Sequence, residues 1–486
     1  MPKSKKKKTI KKKIAKRGRP RIKKEVKAKV KAKPAPPQPL IKATKKMPQL
    51  LRGFKDILPS EQKYWNLIRE KAESLSLTYG FERIDLPILE ETALFVRSVG
   101  KETDIVEKEI FTFTDRGGES ICLRPEATAS AVRAYINHGM LNLPQPVKLY
   151  YIGPMFRYDR PQSGRYRQFN QFGLEALGDF NPVLDAQIII MCFNFFKELG
   201  IESNVQINSI GCPGCRKEYK TQLINYYKTQ KSGLCEDCKN RISKNPLRLL
   251  DCKEYRCQAI AEDAPQIVDW LCDDCKNHFV KVLEFLDELE IPYNLNPYLV
   301  RGLDYYTKTV FEIWPGIGQN SASDENGAEQ AAGKDAAGKK AQSALGGGGR
   351  YDNLVELLGG RPTPAVGCSI GIERTILKIK ELGKDVPSQE SPDIFIAQLG
   401  EAAKRKALVL FESLRNEGFK IAESFSKDGL KNQLDNANKL GVKYALILGQ
   451  KELSEGTILL RDMEGGIQET INYNKIIKEL RKRLGL

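Results

Sequence analysis

The twenty residues FRYDRPQSGRYRQFNQFGLE, Phe156 to Glu175, combine clustered cations with a patterned polar row. Arg157, Arg165 and Arg167 lie on or beside a Pro-Gln-Ser-Gly turn, and their planar guanidinium forks suit phosphate oxygens. Beyond the turn, Gln171, Gly173 and Glu175 share one face of an extended strand while Phe172 and Leu174 take the other. Such a row predicts a lined pocket, although a charged, solvated hairpin would carry the same arginines. Corroboration comes from four further stretches. LVRGLDYYTKTVFEI brings Arg301 with Tyr305 and Tyr306, and LGGGGRYDNLVELLGG sets Arg350 and Tyr351 directly after glycines that let a backbone approach a ligand closely. AVGCSIGIERTI places Arg374 at the opening of a helix, again suited to phosphate. In ICLRPEATASAVRAYI, Glu126 and Thr128 follow a proline at a helix start, where Glu126 either holds an ammonium group or caps the helix.

Cysteines point to a second chemistry. Eight of the 11 fall between Cys212 and Cys275, mostly as CxxC pairs, which in a long chain without a secretory pattern indicates metal rather than a disulfide framework. Cys212, Cys215, Cys235 and Cys238 have the spacing of a structural zinc knot, and Cys252, Cys257, Cys272 and Cys275 form a looser second set. Interleaved pairing and reduced core thiols are the alternatives. Four thiolates leave zinc no open position, so neither set is expected to be catalytic. Cys122, Cys192 and Cys368 lie in apolar contexts and read as ordinary buried thiols.

Positioning these groups takes a sizeable fold, and 486 residues at 41 % hydrophobic allow one. The formal charge of +18 is unevenly spread. Residues 1–47 hold 21 Lys/Arg and one acid, Glu25, a net of +20; the remainder has 79 − 21 = 58 basic and 61 − 1 = 60 acidic residues, a net of −2. This extension is read as disordered and closed by the stiff linker KPAPPQP, with neither a signal peptide nor a transit-peptide pattern. No run approaches a membrane span, and a cytoplasmic location is expected. SEQKYWNLIREKAESLSLTYG, from Ser60, reads as a helix capped by Ser and Gly, and VKLYYIGPMFRYD with RYRQFNQFGLEALG as two antiparallel strands. The expected divisions are a catalytic core over 48–200 and 291–385, a Cys-rich insertion over 201–290, and a small α/β domain with a largely parallel sheet over 393–486. The polar low-complexity stretch Gly316 to Ser343 is expected to be a surface loop.

Together these stretches resemble the bacterial-type histidyl-tRNA synthetases, a family of class II aminoacyl-tRNA synthetases. GFERIDLPILEETALF resembles that class's dimer-forming first motif, GPMFRYDRPQSGRYRQFNQFGLE its second and AVGCSIGIER its third, while LVRGLDYYTKTVFE and LGGGGRYD resemble two signatures of the family. The resemblance runs from about Pro48 to the C-terminus. It implies an α+β catalytic core on an antiparallel sheet, a homodimer, a C-terminal anticodon-binding domain, and ATP with Mg2+, L-histidine and tRNA(His) as substrates. Arg157 would then bind the α-phosphate, Arg374 the γ-phosphate end of a bent ATP with Arg165 nearby, and Arg301 would be the catalytic arginine at the α-phosphate. Glu126, Thr128, Gln171 and Glu175 would hold histidine and its amino group, Glu175 also bordering ATP, and Tyr305, Tyr306 and Tyr351 would line the imidazole pocket. Asn170 stands where the family often has His.

Two other classes compete. A catalytically silent regulatory subunit of histidine biosynthesis shares the core, but such relatives usually lose signature residues and the last domain, which are present here. A DNA-binding protein would account for KRGRPRIKK, Lys16 to Lys24, whose Arg-Gly-Arg core suits a narrow minor groove, but for none of the five motifs. For the arm itself, tRNA capture is the leading expectation, with ribosome, DNA or solubilising roles as alternatives.

Overall fold

The computed structural model describes residues 47–486 apart from 102, 162–163, 317–343, 385, 387–390 and 427–428. The basic extension, the middle of the Pro-Gln-Ser-Gly turn and nearly all of the low-complexity stretch lie outside the described residues.

Long runs of β-branched and aromatic residues build the centre. Eight strands form one sheet: β1 (Glu82–Arg83), β2 (Val147–Phe156), β3 (Gln168–Leu177), β4 (Ser203–Ser209), β5 (Tyr293–Leu295), β6 (Thr307–Pro315), β7 (Gly346–Arg350) and β8 (Ala365–Gly371), in the order β1-β2-β3-β8-β7-β6-β4-β5. The six inner strands are antiparallel and only the edge strands β1 and β5 pair in parallel. β2 and β3 are the hairpin expected from their aromatic pattern, with Tyr151 opposite Gly173 and Leu149 opposite Glu175.

Alternation along these strands sorts the two faces. Tyr150, Phe172, Leu174, Phe311, Ile313, Cys368 and Ile370 bury one face under the helices Gln62–Thr78, Pro182–Glu198, Asp273–Glu288 and Ile372–Glu381. Each helix turns an apolar stripe inward, as Ile188, Met191, Cys192, Phe195 and Phe196 do in the second. The opposite face carries the polar row and, around it, Val147, Leu149, Leu177, Val310 and Ala365, which form a second core with Val132 and Tyr135 of the helix Thr128–Asn137 and Tyr219 and Leu223 of Pro213–Thr229. Ser60 does not cap the first helix: it lies in a 3-10 turn, Pro59–Glu61, and Glu61 takes the cap position.

The Cys-rich region is narrower than 201–290. β4 belongs to the main sheet, and Asp273–Glu288 is a core helix packed on Pro182–Glu198 through Phe279, Val282 and Leu286. The amphipathic pattern of that helix was legible, but its cysteines drew it into the insertion.

After Asp393 a five-stranded sheet has the order Ile421–Glu423, Ile394–Gln398, Tyr444–Leu448, Thr457–Asp462, Gln468–Asn472. Its first three strands are parallel, as the alternation with helices requires. Its last two form an antiparallel hairpin, because only a short turn with Gly465 and Gly466 joins them and leaves no length for a crossover.

Candidate active site

Glu175 sits on this second face of β3, fully buried. Thr128 Oγ1 and the Tyr151 hydroxyl donate to its Oε1 at 2.7 and 3.1 Å, and the Tyr351 hydroxyl donates to Oε2. Burial drives its pKa up to about 8, against the lowering effect of these three donors. Tyr305 packs on Tyr306 and Tyr351, with ring centroids 4.7 and 5.7 Å apart, and all three rings are buried. The pocket is therefore an aromatic wall around a carboxyl group satisfied by hydroxyls.

Glu126 shows the capping geometry. Its carboxylate accepts from the N–H groups of Thr128 and Ala129 at 2.7 and 3.0 Å, at the start of the helix Thr128–Asn137. Burial raises its pKa while those N–H groups oppose the rise. Gln171 Oε1 is buried without a hydrogen-bond partner among the described residues.

Arginines gather beside the carboxyl groups. Arg157 stacks over Phe169 at 5.3 Å and donates from Nε to the Pro125 carbonyl at 2.9 Å, next to Glu126. Arg165 pairs with Asp159 at 3.0 Å, and Arg374 donates to the Ala344 carbonyl at 2.7 Å. Burial lowers the pKa of Arg374, and repulsion from Arg165, Arg157 and Arg301 adds to this against the pull of Glu312. Arg301 is held by Glu312 and lies 5.9 Å from the Tyr306 ring centroid. Although buried, it has a raised pKa through Glu312 and the two tyrosines. The glycines of β7 serve this arrangement: a Cβ on Gly347 would lie 2.9 Å from Arg301 Nη1 and 2.6 Å from the Phe311 carbonyl oxygen. The glycine run is thus a central strand over which a guanidinium lies.

Arg350 points away from the pocket. It is fully buried and paired with Asp185, which also faces His278 Nε2 at 3.2 Å. Against burial, Arg350 and His278 hold the Asp185 pKa down to about 2.

Tyr151, Ser369, Glu312 and Glu373 are site residues that sequence reasoning missed. Tyr151 follows another tyrosine on β2, so only the register shows which one faces in. Glu312 sits between Phe311 and Ile313, and an acid in a buried strand was the available signal. Glu373 accepts from both the backbone N–H and the side-chain amide of Asn170 at 2.9 Å, which ties β3 to the helix carrying Arg374.

The cysteines converge, but in different sets from those expected. Cys212, Cys215, Cys272 and Cys275 form one group and Cys235, Cys238, Cys252 and Cys257 the other, each with its sulfurs within 4.8 Å of one another. Linear spacing joined neighbouring CxxC pairs; the fold instead brings together two helix N-termini, with Cys212 and Cys272 at the cap positions of Pro213–Thr229 and Asp273–Glu288. Backbone N–H groups point at the sulfurs: Cys272 N–H donates to Cys215 Sγ at 3.1 Å and Cys235 N–H to Cys257 Sγ at 3.2 Å. The Cys212 thiol is lowered to about 7, because the N–H groups of Cys215 and Gly214 and the Cys215 thiol outweigh burial.

The antiparallel sheet, the helices packed on it and the arginines beside the buried carboxyl groups define the class II aminoacyl-tRNA synthetase fold. A solved histidyl-tRNA synthetase of S. aureus matches with a TM-score of 0.71 and 36 % identity over 89 % of this chain and 99 % of that one. A family model described as Histidyl-tRNA synthetase matches residues 53–217 and 258–375, and one described as Anticodon binding domain matches 393–483. The histidine–tRNA ligase of Dehalococcoides mccartyi is 47 % identical over 90 % of this chain and 100 % of its own length, and that of Natranaerobius thermophilus 45 % over 88 % and 98 %. This chain belongs to the histidyl-tRNA synthetase family.

Proposed function

We propose that this protein is a histidine–tRNA ligase. It activates L-histidine with ATP to histidyl-adenylate and pyrophosphate, then transfers the histidyl group to the 3′ end of tRNA(His). The observation that carries this reading is the placing of four half-buried arginines, Arg157, Arg165, Arg301 and Arg374, on the elements that carry two buried carboxyl groups, Glu126 and Glu175, and the tyrosine wall. Such a cluster is unfavourable alone and favourable around a polyphosphate.

ATP, taken with Mg2+, lies along Arg157, Arg165 and Arg374. Arg301 moves from Glu312 to the α-phosphate, where negative charge grows as the histidine carboxylate displaces pyrophosphate. Thr128, Gln171 and Glu175 hold the amino acid, and Glu126 turns its free carboxylate lone pairs to the ammonium group. The aromatic wall of Tyr305, Tyr306 and Tyr351 receives the imidazole, and polar groups left unpaired by other side chains reject them. The neutral state of the tyrosines, enforced by burial, keeps them hydrogen-bond donors.

The wider assignments share this basis. Residues 393–483 read the anticodon. The first-motif segment leaves Ile88 and Leu89 exposed, which suits a homodimer interface. The two thiol groups hold structural zinc, since four sulfurs fill a tetrahedral shell. The basic extension captures tRNA through its phosphates. No helix among the described residues is long and apolar enough to cross a membrane, and we place the enzyme in the cytoplasm with its substrates. A silent regulatory relative is disfavoured by the retention of Arg157, Arg301, Arg374 and the last domain.

Histidine-dependent ATP–pyrophosphate exchange tests the reading. The parent chain should exchange with histidine at least about a hundredfold faster than with other amino acids, and Arg301→Ala should abolish exchange. Equal exchange with all amino acids would remove the assignment.

A further inference from the structure

The two thiol centres are not equivalent in where they touch the catalytic face. Around Cys212, Cys215, Cys272 and Cys275, the chain makes three direct bonds to the segment that carries the pocket tyrosines. Arg216, next to Cys215, donates from Nη1 to the Tyr306 carbonyl at 2.8 Å. Lys308 N–H donates to the Gly211 carbonyl at 2.9 Å, and Ile210 N–H to the Lys308 carbonyl at 2.8 Å. Among the described residues the other centre is linked to this segment through a side chain away from its sulfurs, Asn245 to Asp304 at 3.3 Å.

The segment needs such support. Lys308 has φ of 49°, a left-handed conformation that costs a long side chain roughly 1 kcal/mol or more. Gly211 is also left-handed, at φ 61°, and a Cβ there would lie 2.7 Å from Cys215 Cβ, so the loop closes tightly on the sulfur group. Tyr306 and Tyr305 lie two and three residues before Lys308, so their rings move with this turn.

We propose that the Cys212/Cys215/Cys272/Cys275 centre binds a zinc ion whose role is to position the histidine pocket, with Arg216 and Gly211 as the mechanical link to Tyr306 and Lys308. This rests on the synthetase reading for the identity of the pocket's ligand. Coordination fixes the starts of two helices against each other, and thereby fixes where Gly211 and Arg216 present their bonding groups. Of the arginines placed at ATP, Arg157, Arg165 and Arg374 stand on the β2–β3 hairpin and the helix after β8, outside this linkage, and Arg301 alone shares the tyrosine segment, held there by Glu312. The centre therefore sets histidine affinity far more than ATP affinity. Cys235, Cys238, Cys252 and Cys257, by contrast, stabilise the insertion.

Metal content and exchange kinetics of the full chain, purified without chelator, test this. The parent should hold two zinc ions, and Cys215→Ser/Cys272→Ser should hold one. Arg216→Ala should keep both ions yet raise the histidine KM about tenfold with little change in the ATP KM, and Arg216→Lys, whose ammonium can still donate to the carbonyl, should recover most of the loss. The cysteine pair should raise the histidine KM several-fold more than Cys238→Ser/Cys257→Ser does. Fewer than two ions in the parent, an unchanged histidine KM in Arg216→Ala, or an equal rise in both KM values would overturn the proposal. A parent that exchanges normally while Arg216→Ala behaves like it sinks only this inference; a parent inert toward histidine sinks the enzyme assignment instead.

Discussion

Glu175 carries an acid with its pKa near 8 into the site that we propose takes a cationic amino group. An acid raised on folding binds more protons folded than unfolded between about pH 4.5 and pH 8, so its contribution to stability is full below the unfolded value and is lost as pH rises through the folded one. Glu175→Gln removes that loss. Its melting temperature should therefore gain on the parent as pH rises from 5 to 9, by about 3 °C, while histidine activation falls. A difference that stays flat with pH would show that Glu175 is already ionised in the free protein. Its facing direction was legible from alternation in QFNQFGLE. Its protonation was not, because it follows from complete burial, and the groups that enclose the carboxyl, Thr128, Tyr151 and Tyr351, come from distant parts of the chain that only the tertiary fold brings together. Arg350 shows the opposite failure: adjacent to Tyr351 in sequence, it lies on the other face of its strand.

At the scale of elements, Arg350, Asp185 and His278 join β7 to the helices Pro182–Glu198 and Asp273–Glu288 inside the core. Removing one partner leaves a buried charge without its counter-ion, and Asp185→Asn should lower stability by roughly 3–5 kcal/mol in urea unfolding of the full chain. Because the Asp185 pKa is depressed, this contribution is present above about pH 4 and fades as pH falls toward 2. An unchanged urea midpoint at pH 7 would mean the pair is energetically neutral. The strands and helices around it were readable from periodicity and turn residues, including the β2–β3 hairpin. The limits of the insertion were not, since cysteine spacing says nothing about which partner helix shares a centre, and a core helix that begins with CDDC looks like part of the same knot.

For the molecule as a whole, the charge is divided: a nearly neutral body and an extension of +20. Deleting residues 1–40 should flatten the dependence of tRNA affinity on salt, by roughly 0.9 in log–log slope for each phosphate that the extension neutralises, while leaving histidine activation intact. An unchanged slope would assign the extension another partner. This division came directly from counting residues, whereas the placement of the arginines beside the buried carboxyl groups required the tertiary fold.

The sulfur groups are nested along the chain. One spans Cys212 to Cys275, 275 − 212 = 63 positions, and encloses the other, which spans Cys235 to Cys257, 257 − 235 = 22 positions. Closing the longer loop from an open chain costs more entropy, by about 0.9 kcal/mol on a logarithmic length law. Once the inner group is tied, most of the enclosed chain is already gathered, and the outer closure becomes correspondingly easier. If both groups bind metal as proposed, this loop entropy favours tying the inner group first, and the group that bears on the tyrosine wall closes on a chain already gathered.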